Sequence, residues 1–120
     1  NRAMLLLAVL EKRGGLLLGN CDAYLNVIGG LSLDEPAADL AAMLALASSF
    51  RDKPVPSDLA AIGEVGLTGE LRAVSNLGEV RRLGFTKCLI PKRIQGKLAA
   101  PEGLELIRVA NIREALAALL

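Results

Sequence analysis

The sequence predicts a two-layer α/β domain with a mixed sheet, and two observations carry that reading. Apolar stretches of helical length alternate with short apolar runs bounded by Gly, Pro and Asp. The order reads α-β-α-β-β-α-β-β-α, with no internal repeat and no low-complexity segment. At 120 residues the chain fits one domain, 1–120. A chain of that size buries roughly two-thirds of the surface its unfolded form exposes.

Arg2 to Arg13 predicts a helix, because Ala3 to Leu10 is continuously apolar without Gly or Pro, Lys12 and Arg13 fill the last turn, and Gly14-Gly15 stops it. Its polar face is nearly absent, so it is expected to be covered on several sides: it packs under a sheet, or the missing cover comes from another domain or subunit. The chain is accordingly expected to start inside something larger. Ala23 to Ile28 predicts a strand running into Gly29-Gly30 and the short segment Leu31 to Leu33. Asp34-Glu35-Pro36 opens a second helix, with acids at its positive end and Pro where a missing N–H is harmless. That helix runs to about Phe50, its alanines permit close backbone approach, and Arg51 to Pro56 closes it.

Leu59 to Leu67 and Glu70 to Val74 are expected to form a hairpin around Gly66, Thr68 and Gly69. A short helix from Leu77 to Leu83 should lead to a strand from Lys87 to Ile90 that Pro91 terminates. Leu104 to Val109 predicts a further strand. Asn111-Ile112-Arg113-Glu114 reads as a capping box that starts a last helix through Leu119.

Composition removes several functions. Zero His eliminates Ser-His-Asp and Cys-His catalysis, Cys/His zinc sites and histidine pH switching. With no Trp and only Tyr24, Phe50 and Phe85 as aromatics, there is almost nothing on which to stack bases. Cys21 and Cys88 form no CxxC, so two reduced, buried thiols in a cytosolic protein are expected. The longest apolar run is far short of the ~20 residues that span a bilayer, which argues against a membrane anchor. A net charge of +1 means that any basic surface is local.

Three segments offer sites. Gly63 to Glu70 carries spaced glycines and two acids, yet no Lys and no following helix, so turn chemistry outweighs a phosphate cradle. Glu64 and Glu70 suit a general acid and base, although a solvated or salt-bridged pair explains them with less. Asp34, Glu35 and Asp39 suit a hard cation, but helix-dipole pairing accounts for the same residues, and no metal is expected. No GxxxxGK[ST] occurs. Between Val80 and Pro101 lie Arg81, Arg82, Lys87, Lys92, Arg93 and Lys97, with no Asp or Glu among them. Such a stretch can follow a phosphate backbone, and it can equally be a solvated face balanced by acids elsewhere in space.

The segments "NRAMLLLAVLEKRGG", "LNVIGGLSLDEPAADLAAMLALASSFRDKPVP", "GEVGLTGELRAVS", "RRLGFTKCLIP" and "APEGLELIRV" resemble, in order, the C-terminal domain of the RadA (Sms) family of bacterial DNA-repair proteins. The resemblance covers nearly the whole chain. It implies the fold of the Lon proteolytic domain, of the ribosomal-protein-S5 domain-2-like kind. It also implies that such a domain follows a zinc-finger segment and a RecA-like ATPase in a hexameric, branch-migrating helicase of recombination. ATP with magnesium, and zinc, would belong to those upstream parts, and no cofactor is expected in residues 1–120.

Lon cuts peptides with a Ser-Lys dyad, which needs no His. By the resemblance its segment Asp-Gly-Pro-Ser-Ala-Gly falls on Asp34-Glu35-Pro36-Ala37-Ala38-Asp39, which places Ala37 at the nucleophile. Its Gly-Gly-Leu-Lys falls on Ser75-Asn76-Leu77-Gly78, which places Gly78 at the base. Between Val74 and Arg81 the chain is shorter than the family pattern by roughly one helical turn. The expected function is therefore a catalytically silent Lon-like module of a cytoplasmic repair and recombination ATPase. Its partners would be DNA, bound without regard to sequence through the basic stretch, and further copies in a ring, with a recombinase conceivable. The alternative is a Lon-type peptidase whose nucleophile is Ser32, Ser48, Ser49, Ser57 or Ser75; a small-molecule-binding domain has little support.

Overall fold

A computed structural model describes residues 2–19, 22, 36–72, 81–92 and 101–119. The expected strand Ala23–Ile28, most of the helix Leu77–Leu83, Cys21, Gly78, Arg93 and Lys97 lie outside the described residues. Helix α1 spans Arg2–Gly14. A 3-10 turn, Pro36–Ala38, leads directly into α2, Asp39–Arg51. The strands are β1 Leu59–Ala61, β2 Glu64–Val65, β3 Leu71–Arg72, β4 Lys87–Pro91 and β5 Glu105–Val109. Helix α3 spans Ile112–Leu119.

The described strands form two sheets where the sequence predicts one mixed sheet. In the first, β1, β4 and β5 run parallel in that order, with Leu59 opposite Lys87 and Lys87 opposite Glu105. In the second, β2 and β3 pair antiparallel as the expected hairpin, with Glu64 opposite Arg72. The single strand expected from Leu59 to Leu67 breaks at Ile62-Gly63. There the Ile62 amide still donates to the Leu89 carbonyl at 3.0 Å, but the Gly63 amide turns to the Ala37 carbonyl at 3.0 Å. The Gly63 carbonyl in turn accepts the Leu40 amide at 3.1 Å, so the chain leaves the first sheet to cap the start of α2.

One core lies between the helices and the sheets. Leu6, Val9 and Leu10 of α1, Leu40, Met43 and Leu44 of α2, and Ile112, Ala115 and Leu116 of α3 meet Leu89 of β4, Val109 of β5 and the hairpin's Val65 and Leu71. The far face of the parallel sheet carries a smaller cluster of Cys88, Ile90 and Leu104, flanked by Phe85 and Ile62. Cys88 is a free, fully buried thiol, and burial pushes its pKa up to about 11. Pro91 continues β4 opposite Val109 and ends the strand after that pair.

Helix α1 is covered from one side by the described residues. It buries Leu6, Val9 and Leu10, an i, i+3, i+4 stripe, and leaves Met4 69% exposed and Ala8 exposed. It packs against α2 and α3 from one side of the layer, and nothing in the described residues covers its other side. Helix α3 starts as its sequence predicts: the Glu114 amide donates to Asn111 Oδ1 at 2.9 Å. Its reciprocal partner is shifted by one residue, since the Glu114 carboxylate accepts the Ala110 amide at 2.8 Å.

A buried carboxylate ties these layers. Asp39, fully buried, accepts Arg2 Nε at 2.8 Å, a second bond from Arg2 Nη2, and the Val65 amide at 3.0 Å. The Arg2 side chain is partly open to water, whereas that of Asp39 is not. Removing the cation therefore strands a buried charge, and removing the acid frees a cation that turns outward. Arg2→Met is expected to cost about 3–5 kcal/mol, and Asp39→Asn distinctly less. Urea denaturation midpoints at a common slope measure both, and the reverse ranking would show that the pair is not governed by burial of Asp39.

Candidate functional site

The position that the resemblance aligns with the Lon nucleophile lies in the 3-10 turn ahead of α2. Ala37 offers a methyl group there, and its carbonyl is engaged by the Gly63 amide at 3.0 Å. Two residues on, Asp39 occupies the interior with its carboxylate committed to Arg2 and Val65. The hydrogen bond to Asp39 raises the Arg2 pKa above its ordinary value. This commitment also removes Asp39 as a cation ligand, and no group of acids or Cys able to hold a metal occurs among the described residues. Asp34 and Glu35 lie outside them, as does Gly78.

The hydroxyl candidates divide in the same way. Ser48 Oγ donates to the Lys53 carbonyl at 2.5 Å, where Asp52, in the left-handed region at φ 52°, closes α2. Ser49 and Ser57 are exposed, and Ser32 and Ser75 lie outside the described residues.

Glu64 and Glu70 are a salt-bridged pair, the simpler of the two roles their sequence suggests, since Arg72 reaches Glu64 at 3.7 Å and Glu70 at 3.3 Å. Glu70 also accepts the Thr68 hydroxyl and the Thr68 amide, the latter at 3.2 Å. These bonds fold the carboxylate back over Gly66, where any Cβ would collide with it. The Thr68 hydrogen bond holds the Glu70 pKa below its usual value, with Arg72 adding to the effect.

The basic stretch is divided by strand β4. At its N-terminal end the Arg81 guanidinium lies across Gly103 and donates from Nε to the Glu102 carbonyl at 3.2 Å. Arg82 and Lys87 are exposed there, and Lys87 stands opposite Glu105 and beside Asp58. Asp58 takes the Thr86 hydroxyl at 2.6 Å, which lowers its pKa, and Lys87 contributes to that lowering. Lys92 is exposed at the opposite end, its amide bonded to the Val109 carbonyl at 2.7 Å. The two lysines are thus separated by the length of the strand, roughly 16 Å.

Near the Lys92 end lies a feature that sequence reasoning missed. A cavity of about 220 Å³ opens between the end of α1, the β2–β3 turn and the start of α3, lined by Lys12, Arg13, Thr68, Asn111 and Arg113 among others. The turn and α3 are fastened together: the Ile112 amide donates to the Gly69 carbonyl at 2.9 Å and the Leu71 amide to the Ala110 carbonyl at 3.2 Å. One signal for it is legible in the sequence, because Arg113 stands in the first turn of a helix, the end at which a cation opposes the dipole.

Thr68→Val is expected to return the Glu70 titration midpoint toward the ordinary glutamate value. A lowered folded pKa contributes stability above the unfolded pKa, and that contribution is lost as pH falls through the folded value. The stability gap between wild type and Thr68→Val should therefore be full at neutral pH and close in acid. Carboxyl NMR titration with denaturation at both pH values measures it, and a gap independent of pH would assign the loss to packing.

Comparison with known proteins places this geometry. The sequence model of the Lon protease (S16) C-terminal proteolytic domain matches residues 21–120. The DNA repair protein RadA of Bacillus subtilis (strain 168) is 54% identical over 97% of this chain and 26% of its own length. That of Streptococcus pneumoniae (strain ATCC BAA-255 / R6) is 49% identical over 97% of this chain and 29% of its own. That of Listeria monocytogenes serovar 1/2a is 48% identical over 97% and 26%. The chain thus spans between a quarter and a third of the length of these relatives. It belongs to the family of the Lon protease (S16) C-terminal proteolytic domain, in the Lon-like form that it shares with the DNA repair proteins RadA.

Proposed function

We propose that the domain is a non-proteolytic Lon-like module of a RadA-type DNA repair and recombination ATPase, working in ring assembly and in sequence-independent contact with DNA. The observation that carries the first half is the methyl of Ala37 ahead of α2, at the place the resemblance gives to the nucleophile. A methyl group has no lone pair with which to attack a peptide carbonyl. Such a domain is expected neither to cleave unfolded casein nor to take up a serine-reactive phosphonate. Labelling that survives purification and disappears on substitution of one serine would restore the peptidase reading.

Assembly draws support from the uncovered side of α1, where Met4 is 69% exposed, and from Leu17, 86% exposed in the segment that follows the helix. Faces of that kind are commonly closed by a neighbouring subunit or domain. The ATP, magnesium and zinc of the family reading would belong to other parts of a longer chain, and a recombinase is a further partner class. No helix among the described residues is long and apolar enough to cross a membrane. Light scattering of a longer parent with and without residues 1–120 tests the assembly role, and identical oligomers would remove it.

DNA contact is assigned to Arg81, Arg82, Lys87, Lys92, Arg93 and Lys97, with most weight on the Lys92 end. The Arg81 guanidinium is already held by the Glu102 backbone carbonyl, and Lys87 has Glu105 opposite it and Asp58 beside it, so phosphate binding at that end competes with contacts already made. Replacing Lys92 and Arg93 together by Ala should weaken duplex binding equally for all sequences. The log–log salt slope should become shallower by about 0.9 for each phosphate that the variant no longer holds. Unchanged affinity and slope would return the stretch to a solvated face.

A further inference from the structure

We infer that the cleft between the end of α1, the β2–β3 turn and the start of α3 binds a phosphate group. Its capacity of about 220 Å³ is several times the roughly 30 Å³ share of one water, enough for a hydrated tetrahedral oxyanion. Three cations line it from two helices, Lys12 and Arg13 at the end of α1 and Arg113 in the first turn of α3. The ion pairs among the described residues are Arg2–Asp39, Arg72–Glu64 and Arg72–Glu70, so none of the three is neutralised by an acid there.

The acids that approach the cleft are committed elsewhere. Glu70 is turned to Thr68 and Arg72, and Glu114 to the Ala110 amide. Lys12 and Arg13 suit the negative end of α1, but Arg113 lies at the positive end of α3, where a cation is unfavourable in the absence of an anion. An oxyanion between the helices reconciles all three.

The cleft is also built to hold its shape. Gly69 adopts φ +85°, and a Cβ there would stand 2.9 Å from Arg13 Cβ and 3.3 Å from Ile112 Cγ2. The glycine lets the α1 end settle against the start of α3 and fixes the Arg13 stem over the turn. Asn111 is held by its Oδ1, which accepts the Glu114 amide, and this leaves its amino group to donate. The cleft lies at the C-terminal end of β5, the end of a parallel sheet outside which ligands commonly sit.

The inference does not depend on the DNA reading above, because a domain that holds a duplex at Lys92 needs no phosphate here. One chemistry has two sources, a free phosphate or phosphomonoester and the phosphodiester of a nucleic-acid backbone. The test titrates the 15N-labelled 120-residue chain with sodium phosphate, and separately with a thymidine dinucleotide carrying one phosphodiester, at an ionic strength held constant with chloride. Saturating shifts at the Gly69, Ile112 and Arg113 amides are expected. The exposed-residue variants Lys12→Gln and Arg113→Gln should each weaken binding about ten-fold, with the urea midpoint unchanged. Saturation by both probes assigns the site to phosphate diesters as well as free phosphate, and saturation by orthophosphate alone assigns it to free phosphate or monoesters. Shifts no larger than chloride produces, or shifts that both variants leave intact, would overturn the site while the Lys92 and Arg93 result stands separately.

Discussion

The burial of one charge, that of Asp39, sets much of the rest. A carboxylate fully removed from water must be met by charge and hydrogen bonds, and Arg2 and the Val65 amide are there to meet it. Because Arg2 opens α1 and Asp39 opens α2, the pair pins the starts of both helices to the hairpin strand β2. With that end fixed, α1 can turn only one stripe, Leu6, Val9 and Leu10, into the core. Its far end then comes to rest roughly 20 Å away. There Gly14 packs beside Leu116, and Lys12 and Arg13 reach the cleft. The clamp at one end of α1 and the basic cleft at the other are two consequences of the same helix direction.

The same clamp bears on chemistry. The segment that the resemblance aligns with the Lon nucleophile holds Ala37, Ala38 and an acid committed to Arg2. Gly63 closes over it with two backbone bonds, to Ala37 and to Leu40. In the proposed reading the backbone arrangement of a peptidase is retained as a joint between sheet and helix, and the groups that would react are replaced by groups that pack.

Local signals in the sequence are legible and long-range ones are not. The capping residues of α3, the Gly69 turn and the end of α1 at Gly14-Gly15 depend on residues within a few positions, and each appears where expected. The break between β1 and β2 has no local signal because it is made by Ala37 and Leu40, more than twenty positions upstream of Gly63. Which stripe of α1 is buried is not legible, because an all-apolar pattern states what a helix tolerates, and not how many neighbours it has. Asp39 reads in sequence as a dipole partner because its counter-ion lies at the other end of a separation of 37 residues.

The basic stretch shows how a linear run of charge dissolves in three dimensions. From Arg81 to Lys97 no acid intervenes in sequence, yet a parallel strand brings Glu105 opposite Lys87, and the β1 approach brings Asp58 beside it. Parallel pairing takes partners from distant segments, so the acids that lie beside this end come from before and after the stretch, where inspection of the stretch cannot find them. The converse holds at the other end of the sheet. Lys12 and Arg13 stand about a hundred positions from Arg113 and form no run with it, yet the meeting of α1 with α3 places all three around one cavity. Positive potential in this domain is therefore set by which helix ends converge and by which acids the sheet register supplies, and at the C-terminal end of β5 the converging cations form no ion pair with the described acids nearby.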